Sequence, residues 1–224
     1  MAVRSVFDED LETFAGRALA VPLPDEWVPV RSVAERLGLT QSLATQLMVS
    51  ELAGDRLIAD PASSTCGAEG ASDVRPWVIR SASRLLMPRA GLERLENVPR
   101  VEGVLGRYIN VRLGPGTQSI IPEDRAQRPY LGFHRVFTER ERYAAATRWW
   151  FFRNAEEWIG APFVASLAGF VTLAGRIEAV EDCPWMDAVG FSVDTRDGEV
   201  CRAFSGRRIP VHHGGPALKI AEER

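Results

Sequence analysis

The sequence predicts an α+β protein, with an N-terminal helix–turn–helix–hairpin unit ahead of a C-terminal, mostly-β unit folded as a partly closed barrel. Three observations carry that expectation. Apolar residues recur at helical spacing between Arg31 and Leu52. From Tyr108 onward, short runs rich in branched and aromatic residues alternate with Gly, Pro and Asp-Gly turns. Between the two lies a stretch punctuated by Pro88, Pro99 and Gly103. The expected division is 1–82 for the first unit, 83–103 for a connector and 104–224 for the second unit.

Composition bounds the classes. The chain has 224 residues, 46% of them apolar and 25% charged, which is enough for a proper core and excludes a wholly disordered or collagenous chain. Its longest apolar runs, such as Trp149–Phe152, are far too short to span a bilayer. Met1–Asp10 has one arginine followed by three acids and no apolar segment, unlike a signal peptide. Cys66, Cys183 and Cys201 are odd in number and widely spaced, which suits a reduced protein better than a disulfide frame or a zinc site. The expectation is a soluble, cytoplasmic chain with no membrane contact and no cofactor.

Charge is unevenly distributed. Of 27 basic residues only Lys219 is lysine, for which a GC-rich, bacterial genome is the plain explanation and guanidinium recognition of phosphate the functional one. Residues 81–160 hold thirteen bases against nine acids, whereas the chain as a whole carries −3. Arg84, Arg89, Arg94, Arg100, Arg107 and Arg112 recur every five to seven positions there, making this middle the expected place for a polyanion to lie.

The first unit reads in order. Val33, Ala34 and Leu37 mark a short helix that Gly38 can stop in the left-handed conformation. Thr40 is the N-cap of a second helix whose buried stripe is Leu43, Ala44, Leu47, Met48 and Leu52, ended by Gly54-Asp55. Leu57-Ile58-Ala59 reads as a strand, and Trp77-Val78-Ile79 as its returning partner across the Gly/Ser/Ala-rich Pro61–Asp73. The segment "VRSVAERLGLTQSLATQLMVSELAGDRLIAD" (Val30 to Asp60) resembles winged helix-turn-helix regulators in Ala34, Leu37, Gly38, Thr40, Leu47, Leu52, Gly54, Leu57 and Ile58. That resemblance, over about a quarter of the chain, implies a DNA-binding role.

The outward residues of the second helix are Gln41, Ser42, Thr45, Gln46 and Ser50, types that reach base edges and phosphates. The helix carries no Arg or Lys, so phosphate neutralisation falls to Arg31, Arg36, Arg56 and Arg75 on its flanks and to Arg84 and Arg89 beyond. The expected nucleic-acid residues are Arg31, Gln41, Ser42, Thr45, Gln46, Arg56, Arg75, Arg84 and Arg89. The alternative is a module that packs or docks protein.

In the connector, Ser83–Met87 reads as a short helix and Gly91–Leu95 as another. The second unit offers strands at Tyr108–Leu113, Ser119–Ile121, Phe163–Leu167, Gly169–Ile177 and Val189–Val193. Glu199–Phe204 reads as the partner of Val189–Val193 across an Asp197-Gly198 turn, and Gly206–Val211 as a last strand. Helices are expected at Glu139–Ala146 and at Arg153–Trp158, with Asn154 as cap. "ATRWW" (Ala146–Trp150), "GFVTLAGRIEAV" (Gly169–Val180), Trp185, Phe191 and "GRRIPVHHGG" (Gly206–Gly215) resemble, in their order, the PUA-like barrels that include EVE, ASCH and SRA modified-base readers. The resemblance implies a pocket for a modified or flipped base.

Such a pocket needs stacking faces and edge donors, which Tyr130, Arg148, Trp149, Trp150 and Asn154 supply by residue type. The competing reading is that these aromatics fill a small core. His212-His213 with His134 lacks any metal-ligand spacing, "LGPGT" (Leu113–Thr117) lacks the lysine of a phosphate loop, and no nucleophile sits in a catalytic signature. The expected function is binding of duplex DNA, with the barrel as a second recognition surface. The alternatives are a regulator whose C-terminal unit senses a small-molecule ligand or forms a homodimer, and an enzyme or adaptor whose winged helix only docks protein.

Overall fold

The computed structural model describes residues 27–55, 78–81, 84–102, 106–211 and 215–220. Helix and strand each make up 32% of the described residues, so the fold is mixed α and β. The chain divides into two compact units, one ending at Val98 and the next beginning at Pro99. No helix among the described residues is long and apolar enough to cross a membrane.

In the first unit, β1 (Trp27–Pro29) runs directly into α1 (Val30–Leu37). Gly38 closes α1 at φ 65°, a conformation that costs glycine nothing, and its amide donates back to the Ala34 and Glu35 carbonyls. The Thr40 hydroxyl then accepts the Leu43 amide at 3.3 Å and starts α2 (Gln41–Val49). Ala44, Leu47 and Met48 are the buried face of α2. The helix ends earlier than expected, because Glu51 turns the chain at φ 52°, and Leu52 is buried from a separate 3-10 turn (Leu52–Gly54).

Of the expected hairpin, only Val78 and Ile79 are described. Leu57–Ala59, Pro61–Asp73 and Trp77 lie outside the described residues. The described hairpin joins β2 (Ile79–Ser81) to β3 (Arg84–Pro88), in the order β1-β3-β2 with both pairings antiparallel. Ser83–Met87, expected as helix, is therefore mostly strand: Leu86 pairs with Pro29 on one side and with Ile79 on the other, so β3 gains ladder hydrogen bonds along both edges. α3 (Arg89–Glu96) follows and buries Leu92 and Leu95. The stretch expected as connector thus supplies the central strand and last helix of the first unit.

The second unit is built on one open sheet of order β10-β4-β7-β8-β9: β4 (Tyr108–Arg112), β7 (Pro162–Leu167), β8 (Phe170–Asp182), β9 (Val189–Asp194) and β10 (Ala217–Ile220). β4 and β7 are parallel and the other neighbours antiparallel. The expected partly closed barrel does not form among the described residues; β9 and β10 remain as the two edges. The crossover from β4 to β7 holds the two-stranded pair β5 (Thr117–Gln118) and β6 (Tyr130–Leu131), α4 (Pro122–Arg125), α5 (Glu139–Thr147) and a 3-10 turn (Ala155–Trp158). Ser119–Ile121, expected as strand, lies between β5 and α4. A full capping box, Thr138 with Glu141, starts α5.

Every residue of β7 is buried, so the sheet is covered on both faces. Alternation sends Val164 to one face and Phe163 to the other. Val164 packs with Tyr108, Val171, Ala174, Ile209 and the Val200 and Phe204 of α6 (Gly198–Phe204). Phe163 packs on Phe191, which meets Phe152, which meets Trp158, with ring centroids 5.5, 5.5 and 6.3 Å apart. α6 corrects the expected strand Glu199–Phe204. The Asp197 carboxylate caps the Glu199 and Val200 amides at 3.0 and 2.9 Å, so Asp197-Gly198 opens a helix and does not turn a hairpin. Gly206–Val211, expected as the last strand, makes only isolated bridges at Arg208, and β10 is the last strand instead.

Candidate nucleic-acid interface

On α2 the buried Ala44, Leu47 and Met48 leave Gln41 and Ser42 exposed and Thr45 and Gln46 half-buried. The Thr45 hydroxyl donates to the Gln41 carbonyl at 2.8 Å, and the Ser50 hydroxyl, buried, to the Gln46 carbonyl at 2.8 Å. Thr45 keeps acceptor capacity, while Ser50 leaves the outward set predicted for it.

The arginines divide by engagement. Arg31 is exposed and paired with Glu35 one turn along α1, at 2.9 Å. Arg36 is tied by a two-pronged bond to Glu96 of α3. Arg84 is exposed at the start of β3 and Arg89 at the start of α3. Arg56 and Arg75 lie outside the described residues. Arg80, one position before the end of β2, is also exposed and stands beside the same hairpin turn as Arg84. Sequence reasoning missed Arg80 because it stopped the strand at Ile79; carrying the strand one residue further turns Arg80 to the face opposite the half-buried Ile79.

The five pocket candidates of the second unit are each taken up by neighbours. Trp149 is buried against Cys183, Ala188 and the edge of Trp185, whose ring centroid is 5.5 Å away. Its other contacts are the Arg148 guanidinium at 5.0 Å and the backbone of Gly190, where an added Cβ would come within 2.9 Å of the indole. Arg148 binds Gln127 at 2.7 Å and Glu181 at 3.0 Å. The Trp150 indole donates to the Ala146 carbonyl at 2.8 Å. Asn154 is exposed and donates to Glu157 at 3.0 Å, and Tyr130 stacks on Phe137 at 4.6 Å. The aromatic run does not form a strand; Trp150 makes an isolated bridge to Val189, and Phe151 is 78% exposed. Trp185, which sequence reasoning placed in no site, is the direct partner of Trp149, and the indole N–H of each is buried without a hydrogen-bond partner.

Electrostatics elsewhere in the unit are mostly structural. Arg176 of β8 binds Asp197 at 2.6 Å and Glu199 at 2.8 Å, which holds its guanidinium above its ordinary range and the Asp197 carboxyl below its own. Burial, then the charges of Arg135 and Arg142, push His134 down to about 4. Among the described residues, no three His, Cys, Asp or Glu side chains are grouped to hold a metal ion; His212 and His213 lie outside them. No protein-family model, curated protein or solved structure matches the chain.

Proposed function

We propose that this chain binds duplex DNA, with α2 as the helix that enters a groove and the β2–β3 hairpin as a wing beside it. The observation that carries the reading is the strand order β1-β3-β2 around the α1–turn–α2 pair, the arrangement expected of a winged helix-turn-helix. In that frame Gln41, Ser42, Thr45 and Gln46 are the base-edge and phosphate contacts, and Arg80 and Arg84 at the hairpin turn supply charge that α2 lacks. The second unit serves as a further recognition surface. A flipped-base pocket draws no support from Tyr130, Arg148, Trp149, Trp150 and Asn154, since each is engaged within the fold.

A second reading, in which the first unit docks protein, is favoured by one observation: Arg31 and Arg36 are both held by glutamates, and α2 has no cation. Fluorescence anisotropy with duplex DNA over a range of salt separates the two. DNA binding gives an affinity that falls steeply with salt. No association even at low salt leaves the docking reading in its place.

A further inference from the structure

Three arginines of the second unit, none of them among the DNA contacts proposed above, come together in one patch. Arg100 and Arg208 face each other as partners of a parallel bridge. Arg207, next in chain to Arg208, reaches the Arg100 carbonyl with Nη1 at 3.5 Å. The Arg208 guanidinium lies over the Phe170 ring at 4.5 Å, and burial together with the charge of Arg100 acts against its protonated form. Among the described residues neither Arg100 nor Arg207 is paired with a carboxylate.

The backbone holds these residues together. The Val101 amide donates to the Arg208 carbonyl and the Arg208 amide to the Pro99 carbonyl, both at 2.8 Å. The Ile209 amide donates to the Gly169 carbonyl at 2.8 Å and the Val171 amide to the Arg207 carbonyl at 3.0 Å. These backbone bonds and the isolated bridge keep Arg100 beside Arg207 and Arg208. The same bonds engage the amides of Val101, Val171, Arg208 and Ile209, which are then not open to cradle a small anion. What remains is the exposed Arg100 beside the half-buried Arg207 and Arg208, an open cluster of guanidinium forks that suits a chain of phosphates better than one enclosed phosphate.

We propose that Arg100, Arg207 and Arg208 form a second phosphate-binding surface, on the C-terminal unit, that takes the sugar–phosphate backbone of a nucleic acid. The proposal rests on the DNA-binding reading above and assigns it a contact outside the winged module. The test is anisotropy of the full chain with duplex DNA over a salt series, comparing wild type with Arg100→Gln/Arg207→Gln and with Arg140→Gln/Arg196→Gln, a control of equal charge loss at two exposed positions elsewhere in the unit. Thermal melts confirm that all three fold.

The Arg100/Arg207 pair is expected to flatten the slope of log K against log salt by about 2, roughly one per phosphate contact, with the control unchanged. Arg100→Lys, which keeps the charge, should retain most of the slope. An unchanged slope in Arg100→Gln/Arg207→Gln overturns the proposal and leaves the winged-module reading standing. If Arg80→Gln/Arg84→Gln costs nothing while Arg100→Gln/Arg207→Gln weakens binding, the winged-module reading fails and this surface stands. Wild type that binds no DNA overturns both. In that event, thermal stabilisation by inorganic phosphate that Arg100→Gln/Arg207→Gln abolishes would identify a free-phosphate site instead.

Discussion

The hydroxyl of Tyr143 accepts the backbone amide of Val193 at 2.8 Å, so a side chain from α5 occupies a hydrogen-bonding position on the outer strand of the five-stranded sheet. At the other end of β9, the backbone of Trp150 exchanges two bonds with Val189, at 2.8 and 2.9 Å. An exposed strand edge invites pairing with other chains, and these two contacts cover it at both ends. Tyr143→Phe removes the acceptor and leaves the amide of the buried Val193 without that partner. The expected cost is about 1–3 kcal/mol in urea denaturation. Faster amide exchange at Val193, with little change at Val189, should accompany it.

The Asp124 carboxylate is fully buried and accepts from Ser119 Oγ at 2.8 Å and from Arg128 Nη2 at 2.7 Å. Arg128, itself buried, also donates through Nη1 to the Arg148 carbonyl, so this ion pair anchors the chain entering the tryptophan segment. Asp124→Ala strands a buried guanidinium and is expected to destabilise the fold by about 3–5 kcal/mol. Replacing both partners, as Asp124→Leu/Arg128→Met, removes the charge with its counter-charge and should be much less costly than Asp124→Ala alone. A double variant as unstable as the single one would show that the loss comes from packing.

His134 has a folded pKa of about 4 against an ordinary 6.5, chiefly because burial disfavours its imidazolium, with Arg135 and Arg142 adding to it. The unfolded chain therefore takes up a proton near 6.5 that the folded chain refuses until about 4. Stability tied to His134 is complete above 6.5, falls as pH drops through that interval and is gone by about 4. The full shift corresponds to about 3 kcal/mol. Urea midpoints measured from pH 7 to 4 should fall less steeply for His134→Gln than for wild type; parallel curves would refute the assignment.

Local signals explain what the sequence made legible. α1 and α2 were readable because Gly38 and Thr40 punctuate them and their apolar spacing is helical, and α5 because its alanines follow good helix formers. β7, β8 and β9 were readable from their branched and aromatic content. Where two local rules compete, the sequence misleads. Asp197-Gly198 is equally a hairpin turn and a helix start, and Val200 and Phe204 settle it only by reaching the same core face four residues apart. β3 was hidden because Leu85-Leu86-Met87 has no alternation, and its two antiparallel partners, β1 and β2, come from other segments of the chain. The tryptophan pair was illegible for a different reason: Trp149 and Trp185 meet only after β8 and β9 have folded back, a relation no short-range pattern encodes.

The last prediction separates charge from readout in the first unit. Arg80 and Arg84 stand at the hairpin turn as exposed cations, whereas Gln41 and Gln46 are neutral donors and acceptors on α2. If the module lies on DNA as proposed, Arg80→Gln/Arg84→Gln weakens binding to every duplex alike and flattens the salt slope by about 2. Gln46→Ala, by contrast, leaves the slope unchanged and costs about 1–3 kcal/mol only on a duplex selected from a random pool for tight binding. Gln41→Ala should behave as Gln46→Ala does, because both carry the same group on the helix surface. The measurement is a salt series on the selected and a scrambled duplex for each variant. Equal losses on both duplexes for Gln46→Ala would mean that α2 touches backbone and not base edges, and an unchanged slope for the arginine pair would remove the hairpin from the interface.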